Sequence, residues 1–165
     1  MPLEISEDLV SLAYQSLGYF VMEGRKIGRR EIDLLAIRLG ADGTVVERKH
    51  IEVQIGLSPI GVLSGGGKLG TANRDPAASA REWVAKKLDA APIVQDVSAV
   101  FCRQPYTRAL VHGTLKDTSQ LEVLRGLNIE CEHIRALVTR ALSPGCAENR
   151  LQRAVGIAKL LLDKE

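Results

Sequence analysis

Two acidic residues and one amide interrupt otherwise apolar sequence in two neighbouring predicted strands. Asp33 lies within the apolar run 32–37, where a carboxylate is costly unless it has a partner or a function. Glu52 and Gln54 alternate with apolar residues over 51–55, so both side chains leave the same face of their strand. These three residues are the first candidates for a chemical site.

A predicted hairpin with an Asp-Gly turn at 41–43 makes the two strands neighbours. Asp33 and Glu52 could then converge on one Mg²⁺, an ion that prefers oxygen ligands. A metal held in this way activates water and neutralises charge during attack on a phosphodiester. The alternative is that each carboxylate pairs with a nearby arginine, the candidates being Arg29, Arg30 and Arg48. For either carboxylate taken alone, an ion pair with arginine is the favoured explanation. Taken together, the two carboxylates and the amide favour a functional site.

The elements that must position these residues alternate between helix and strand. Ser6 is the predicted N-cap of the first helix, Gly18 ends it, and Asp75 caps a later one. Ser119 and Glu122 have the spacing of a capping box. The predicted helices span 6–17, a stretch after residue 75, 119–126 and a C-terminal helix from about 147. The predicted strands span 19–22, 31–38, a segment ending at 51–55, 108–112 and 129–134, with a weaker strand at 97–101 and a basic turn at 24–28. This order predicts an α/β (α+β) fold with a mixed sheet and helices on both faces.

The composition is that of one ordinary globular domain spanning residues 1–165. Hydrophobic residues make up 45% of the chain, which is enough for a core, and no apolar run is long enough to span a bilayer. The start of the chain lacks the features of a secretory signal, which predicts a cytoplasmic location. The three cysteines predict free thiols, because their spacing with His133 matches no paired zinc-ligand pattern.

The segments that carry the candidate site resemble the PD-(D/E)xK nuclease superfamily, which includes restriction endonucleases and archaeal Holliday-junction resolvases. The resemblance covers the first third of the chain, with a helix that carries an acid, Gly-Tyr-Phe-Val at 18–21, Glu-Ile-Asp-Leu-Leu-Ala at 31–36 and Ile-Glu-Val-Gln at 51–54. It implies a restriction-endonuclease-like fold with an αβββαβ-type core. It also implies a homodimer, because such enzymes commonly work in pairs.

The same resemblance assigns roles to individual residues. Asp33 and Glu52 would bind Mg²⁺, for which Mn²⁺ could substitute, together with the backbone carbonyl of Val53. Glu7 of the first helix would supply a further acid, although a charge favouring the helix dipole is an almost equal explanation. Gln54 departs from the family pattern, since the third catalytic position usually holds a lysine. The missing charge could come from another lysine, the candidates being Lys49, Lys68 and Lys86.

The function expected from this site is metal-dependent cleavage of a phosphodiester in DNA. Six basic residues are predicted to contact the DNA backbone: Arg25, Lys26, Arg29, Arg30, Lys68 and Arg74. The alternative is a degenerate domain of the same fold that binds nucleic acid or acts as a scaffold without cutting. A small-molecule enzyme that uses the same carboxylates would need a deep apolar cleft, which the sequence does not reveal.

Two further features are given simpler interpretations. The glycine-rich stretch 64–67 is not a phosphate-binding P-loop, because Val62 and Leu69 stand where that pattern requires Gly and Ser or Thr. It is interpreted as a loop that could order over bound DNA. His50 lies on the site face of its predicted strand, but its basic neighbours predict a surface histidine.

Overall fold

The central sheet consists of an antiparallel three-stranded meander followed by two parallel strands. The computed structural model describes residues 2–56, 58–63 and 75–143. In these residues the strands are β1 (Tyr19–Ile27), β2 (Arg30–Leu39), β3 (Val45–Gln54), β4 (Thr107–His112) and β5 (Ile129–His133). Their order in the sheet is the order in the sequence. The pairs β1–β2 and β2–β3 are antiparallel, whereas β3–β4 and β4–β5 are parallel.

Helices cover both faces of this sheet. They are α1 (Pro2–Ser16), α2 (Pro76–Lys87), α3 (Ala91–Val100), α4 (Ser119–Gly126) and α5 (Ile134–Ala141). Ala109 and Val111 of β4 pack in a core cluster with α1 and α5. Leu110, between them, packs in another cluster with α2 and α4. Since successive strand residues point to opposite faces, the two helix pairs lie on opposite sides, and the predicted mixed α/β fold is confirmed.

The second hairpin forms where the sequence predicts it. The amide of Gly40 donates to the carbonyl of Thr44 over 2.8 Å, and Gly43 has a φ of 80°, a left-handed conformation that glycine adopts without steric cost. The Asp42 carboxylate accepts from the amide of Thr44 over 3.0 Å. This turn fixes β2 beside β3.

The first hairpin differs from the prediction of a basic turn at 24–28. β1 continues to Ile27 and turns only at residues 28 and 29, because Arg25 and Lys26 pair with Ile32 and Glu31 of β2. Gly28 supplies the positive φ, 61°, that the turn needs. Cross-strand pairing therefore extends the strand through residues that look like a loop when read alone.

Two predicted helix caps and one predicted strand are corrected. The helix α1 begins at Pro2, so Ser6 lies inside it and is not its cap; proline is well tolerated in a first turn. The weak strand at 97–101 is wrong, because Ile93 and Val97, four residues apart, form the buried face of α3. The capping box of Ser119 is also wrong: the side chain that accepts from the Ser119 amide, over 2.8 Å, belongs to Asp117.

The short helix α5 has no counterpart among the predicted elements. It begins directly after β5, where the ring of His133 accepts from the amide of Arg135 over 3.1 Å. The predicted C-terminal helix from about 147 and the glycine-rich loop 64–67 lie outside the described residues. Within the described ranges, no helix is long and apolar enough to cross a membrane.

Helix α2 is held at both its start and its buried face. The carboxylate of Asp75 accepts from the amides of Ala77 and Ala78 over 3.2 and 3.1 Å, as the sequence predicts for this N-cap. Trp83 and Val84 are almost fully buried among apolar residues of α4, β4 and β5. These contacts fix the direction of α2 and therefore the place of its last residue, Lys87.

The cap of α2 gives a direct test of this anchoring. Asp75→Ala is expected to lower the free energy of unfolding by about 1 kcal/mol, because two helix amides lose their acceptor. Asp75→Asn, which keeps an acceptor oxygen, should stay close to wild type. Urea unfolding followed by circular dichroism measures both variants, and an Ala variant as stable as wild type would show that the cap does not anchor the helix.

Candidate active site

Asp33 and Glu52 lie opposite each other on β2 and β3. The register pairs Leu34 with Ile51 and Leu35 with His50, so the next pair outward is Asp33 and Glu52. The backbone N–H of Val53 donates to Asp33 Oδ2 over 2.8 Å. Asp33 is 6% exposed and Glu52 is fully buried. The structure thus brings together the two carboxylates that the sequence selects, in a place where charge needs compensation.

The compensating charge comes from Lys87 at the end of α2. Its Nζ lies 2.9 Å from Glu52 Oε2 and 3.6 Å from Asp33 Oδ1. The 2.9 Å contact is an ion pair with the fully buried carboxylate of Glu52. One ammonium group therefore bridges both carboxylates.

Lys49 and Lys86, two of the three lysines suggested from the sequence, do not fill this position. Lys49 pairs with Glu47 over 3.1 Å and also with Glu130. Lys86 pairs with Glu82 over 2.6 Å on the exposed side of α2, and Lys68 lies outside the described residues. These pairings leave Lys49 and Lys86 away from Asp33 and Glu52.

A helical pattern in the sequence could have identified Lys87. It lies seven, four and three residues after Ala80, Trp83 and Val84, which are the buried apolar residues of α2. Residues at these spacings share one face of a helix, whereas Lys86 is turned by about 100° from it. The apolar periodicity of α2 therefore places Lys87 on the buried face of the helix. It indicates a role for Lys87 in the site only once that face is known to pack near β3.

The electrostatics of the site are dominated by burial of like charges. Burial, followed by the charge of Glu52, raises the pKa of Asp33 to about 7, although Lys87 and the Val53 N–H act against this rise. Burial alone would lower the pKa of Lys87, but the charges of Glu52 and Asp33 outweigh it and the pKa is raised. Lys87 therefore stays cationic, while Asp33 can exchange a proton near neutral pH.

Glu7 shares the electrostatic environment of this site from helix α1. Burial and then the charge of Glu31 raise its pKa, with a further contribution from Glu52 and an opposing one from Lys87. Glu7 in turn contributes to the raised pKa of Asp33. The acid that the resemblance selects on the first helix is therefore within electrostatic reach of both central carboxylates.

Gln54 ends β3, half-buried, beside His112 of β4 in the parallel register. By strand alternation it lies on the same face as His50 and Glu52. The prediction of a surface histidine at His50 is wrong, because this residue is fully buried and its Nε2 lies 3.2 Å from Glu52 Oε1. The reason is tertiary: the ring centroid of Tyr106, which directly precedes β4, lies 6.5 Å from that of His50.

The predicted DNA-contacting residues fall into three groups. Lys26, Arg29 and Arg30 are exposed around the β1–β2 turn. Arg25 forms an ion pair with Asp96 of α3, including a hydrogen bond from Nη2 to Oδ1 over 2.8 Å, so its charge is partly neutralised. The remaining two, Lys68 and Arg74, lie outside the described residues.

The donor set at Asp33 and Glu52 fits a hard divalent cation. Mg²⁺ is commonly held by one or two carboxylates together with water, and the two carboxylates here are close together and buried, with Lys87 Nζ within 2.9 Å of one and 3.6 Å of the other. In the described part of the chain, no group of three or more His, Cys, Asp or Glu side chains is placed to hold a metal. Burial raises the pKa of Cys131 to about 11, so its thiol does not favour zinc. Asp33, Glu52 and the Val53 carbonyl therefore remain the candidate ligands.

Comparison with known proteins yields one structural similarity and no family assignment. No protein-family model matches the chain, and no curated protein matches it significantly. The chain is similar to the crystal structure of the protein of unknown function AF1548, with 11% sequence identity and a TM-score of 0.49. The similarity covers 96% of this chain and 78% of that one.

The raised pKa of Asp33 predicts a specific dependence of stability on pH. Without metal, the folded state holds a proton on Asp33 up to about pH 7, whereas the unfolded chain releases it near pH 4. The free energy of unfolding contributed by Asp33 therefore falls as pH rises through this window. Asp33→Asn removes the penalty, so its stability relative to wild type should increase between pH 5 and pH 8 by about 1.4 kcal/mol per pH unit at most.

Urea unfolding in EDTA at pH 5, 6, 7 and 8 measures this difference. Asp42→Asn is the matched control, because hydrogen bonds from Thr44 lower the pKa of Asp42 and keep it ionised throughout that range. Its difference from wild type should not change with pH. A difference between Asp33→Asn and wild type that is equally constant would contradict the raised pKa.

Proposed function

We propose that this chain is a metal-dependent phosphodiesterase that cleaves DNA. The observation that carries the proposal is the contact of Lys87 with both buried carboxylates, 2.9 Å from Glu52 and 3.6 Å from Asp33. Two acids able to hold a cation, beside a lysine able to face a phosphate, are the groups that this reaction requires. The sequence resemblance to PD-(D/E)xK nucleases points to the same reaction.

Each residue of the site has a distinct part in the proposed reaction. Asp33, Glu52 and the Val53 carbonyl would hold Mg²⁺ or Mn²⁺, and the bound ion would supply an activated water and charge neutralisation. Lys87 places a permanent positive charge beside them, where it can stabilise the additional negative charge on the phosphate as the bond breaks. The amide of Gln54 can orient water but carries no charge. Lys87 thus provides from α2 the charge that Gln54 lacks on β3.

The DNA backbone would be bound by the exposed basic turn between β1 and β2. Lys26, Arg29 and Arg30 lie together there, at the end of the same hairpin strand that carries Asp33. Contacts to phosphates position a duplex without reading its sequence. We include Lys68 and Arg74 in the proposal from the sequence alone.

The alternative is a domain of the same fold that binds nucleic acid or acts as a scaffold without cutting. One observation favours it: among the described residues, no metal-binding group has three or more side-chain ligands, so the ion would rest on few protein contacts. A homodimer and a cytoplasmic location are further parts of the proposal that rest on the resemblance and the sequence. Light scattering of the purified chain tests the dimer.

Cleavage assays test the reaction directly. In Mg²⁺ or Mn²⁺, the wild type should cut at least one member of a panel of linear, branched and single-stranded DNA, and Glu52→Ala should abolish cutting. Lys87→Met should lower the rate by about 100- to 1,000-fold, as is found when a transition-state donor is removed. Lys86→Met is the matched control and should stay within about twofold of wild type, since its side chain is exposed.

Two outcomes would contradict the proposed reaction, and a third would contradict the role of Lys87. No cleavage of any substrate, together with no metal binding, would leave the non-cutting domain. Cleavage that persists in Glu52→Ala would place the reaction elsewhere or identify a contaminating nuclease. Equal losses in Lys86→Met and Lys87→Met would contradict the role of Lys87 while leaving the carboxylates in place.

The basic turn gives a separate prediction on DNA binding. Removing Arg29 by Arg29→Ala should weaken binding equally for unrelated sequences and reduce the slope of log affinity against log salt by about 1, because one phosphate contact is lost. Fluorescence anisotropy at several salt concentrations measures this slope. Arg135→Ala, which removes an exposed arginine from α5, should leave it unchanged. An identical slope in wild type and Arg29→Ala would exclude this turn from the DNA-binding surface.

A further inference from the structure

His50 is a fully buried polar residue that the proposed reaction does not use. It is 0% exposed, and its Nε2 lies 3.2 Å from Oε1 of the equally buried Glu52. It lies opposite Leu35 on β2 and beside the ring of Tyr106, which in turn stacks near Phe101 at 5.5 Å. An apolar side chain would suit these neighbours, so a buried imidazole at this position needs an explanation.

The hydrogen-bonding capacity of the two side chains assigns the direction of their contact. An ionised carboxylate can only accept, so His50 Nε2 must carry the hydrogen and donate it to Glu52 Oε1. The other ring nitrogen, Nδ1, is buried and has no hydrogen-bond partner among the described residues. An unpaired buried polar atom costs about 1–3 kcal/mol. The fold therefore retains this imidazole despite a cost that an apolar residue would avoid.

The two oxygens of Glu52 consequently have different surroundings. Oε1 lies 3.2 Å from His50 Nε2, whereas Oε2 lies 2.9 Å from Lys87 Nζ. A bond to one oxygen fixes the rotation of the carboxylate and leaves the other directed into the site. Groups that hold a metal-binding side chain in this way typically change metal affinity by about 10- to 100-fold when removed.

We propose that His50 is a positioning residue for Glu52: its Nε2–H holds Oε1, so that Oε2 is presented to the divalent cation. The role in metal binding rests on the proposed function, whereas the hydrogen bond itself does not. His50 touches neither DNA nor the reacting atoms in this arrangement. It acts only through Glu52, from the opposite side of the carboxylate to Lys87.

Calorimetric titration with Mn²⁺ tests the role without relying on cleavage. His50→Leu, which removes the donor, should weaken Mn²⁺ binding by about 10- to 100-fold. His50→Gln carries an amide N–H₂ at a similar distance from the backbone and should restore most of the affinity. Phe101→Leu is the matched control: it removes volume from the neighbouring apolar cluster and should lower the melting temperature without changing the affinity.

Nuclear magnetic resonance of the imidazole nitrogens provides the second readout, and it needs no metal. A ring that carries a hydrogen at Nε2 is expected in the wild type, and a ring protonated only at Nδ1 would overturn the proposal. The proposal would also be overturned if His50→Leu bound Mn²⁺ as tightly as the wild type, or if His50→Leu and His50→Gln lost the same amount of affinity. In either case the proposed function would stand, provided that the wild type binds Mn²⁺ through Glu52. If the wild type binds no Mn²⁺, the proposed function and the positioning role fail together, even where the tautomer is the expected one.

Discussion

Two carboxylates side by side in the interior are the main constraint on this structure. Removing an ion from water costs on the order of several kcal/mol even after the protein relaxes, and Asp33 and Glu52 also repel each other. Three groups offset this cost: the Val53 N–H and the His50 ring, both on β3, and the Lys87 ammonium at the end of α2. Losing any one of the three makes the arrangement less stable, because an unpaired buried charge is more costly than a paired one.

The position of Lys87 depends on packing well away from the carboxylates. Trp83 and Val84 bury one face of α2 against a cluster shared with α4 and two strands. Asp75 fixes the other end of the helix. Apolar contacts therefore determine where a charge is placed, and a residue such as Trp83 influences the site without touching it.

The sequence predicts the part of the site that depends on local pattern. Strand alternation and the Asp-Gly turn identify Asp33 and Glu52 because the hairpin joins neighbouring segments, with only 18 residues between them. Lys87 and the burial of His50 depend on contacts between segments far apart in the chain, which local pattern does not encode. The same limit explains α3, where the predicted strand at 97–101 is helical because Ile93 and Val97 are buried at helical spacing.

The parallel pairing of β3 with β4 sets the order in which the site can be completed. β3 ends at Gln54 and β4 begins at Thr107, so the segment that carries Lys87 is also the crossover that brings these strands together. The hairpin with both carboxylates can form from local contacts, whereas closing the crossover is a long-range step and is slower. A growing or partly unfolded chain therefore has its acids before it has their counter-charge. The carboxylates and Lys87 therefore come together only once the crossover has closed, so the candidate site is complete only in the folded chain.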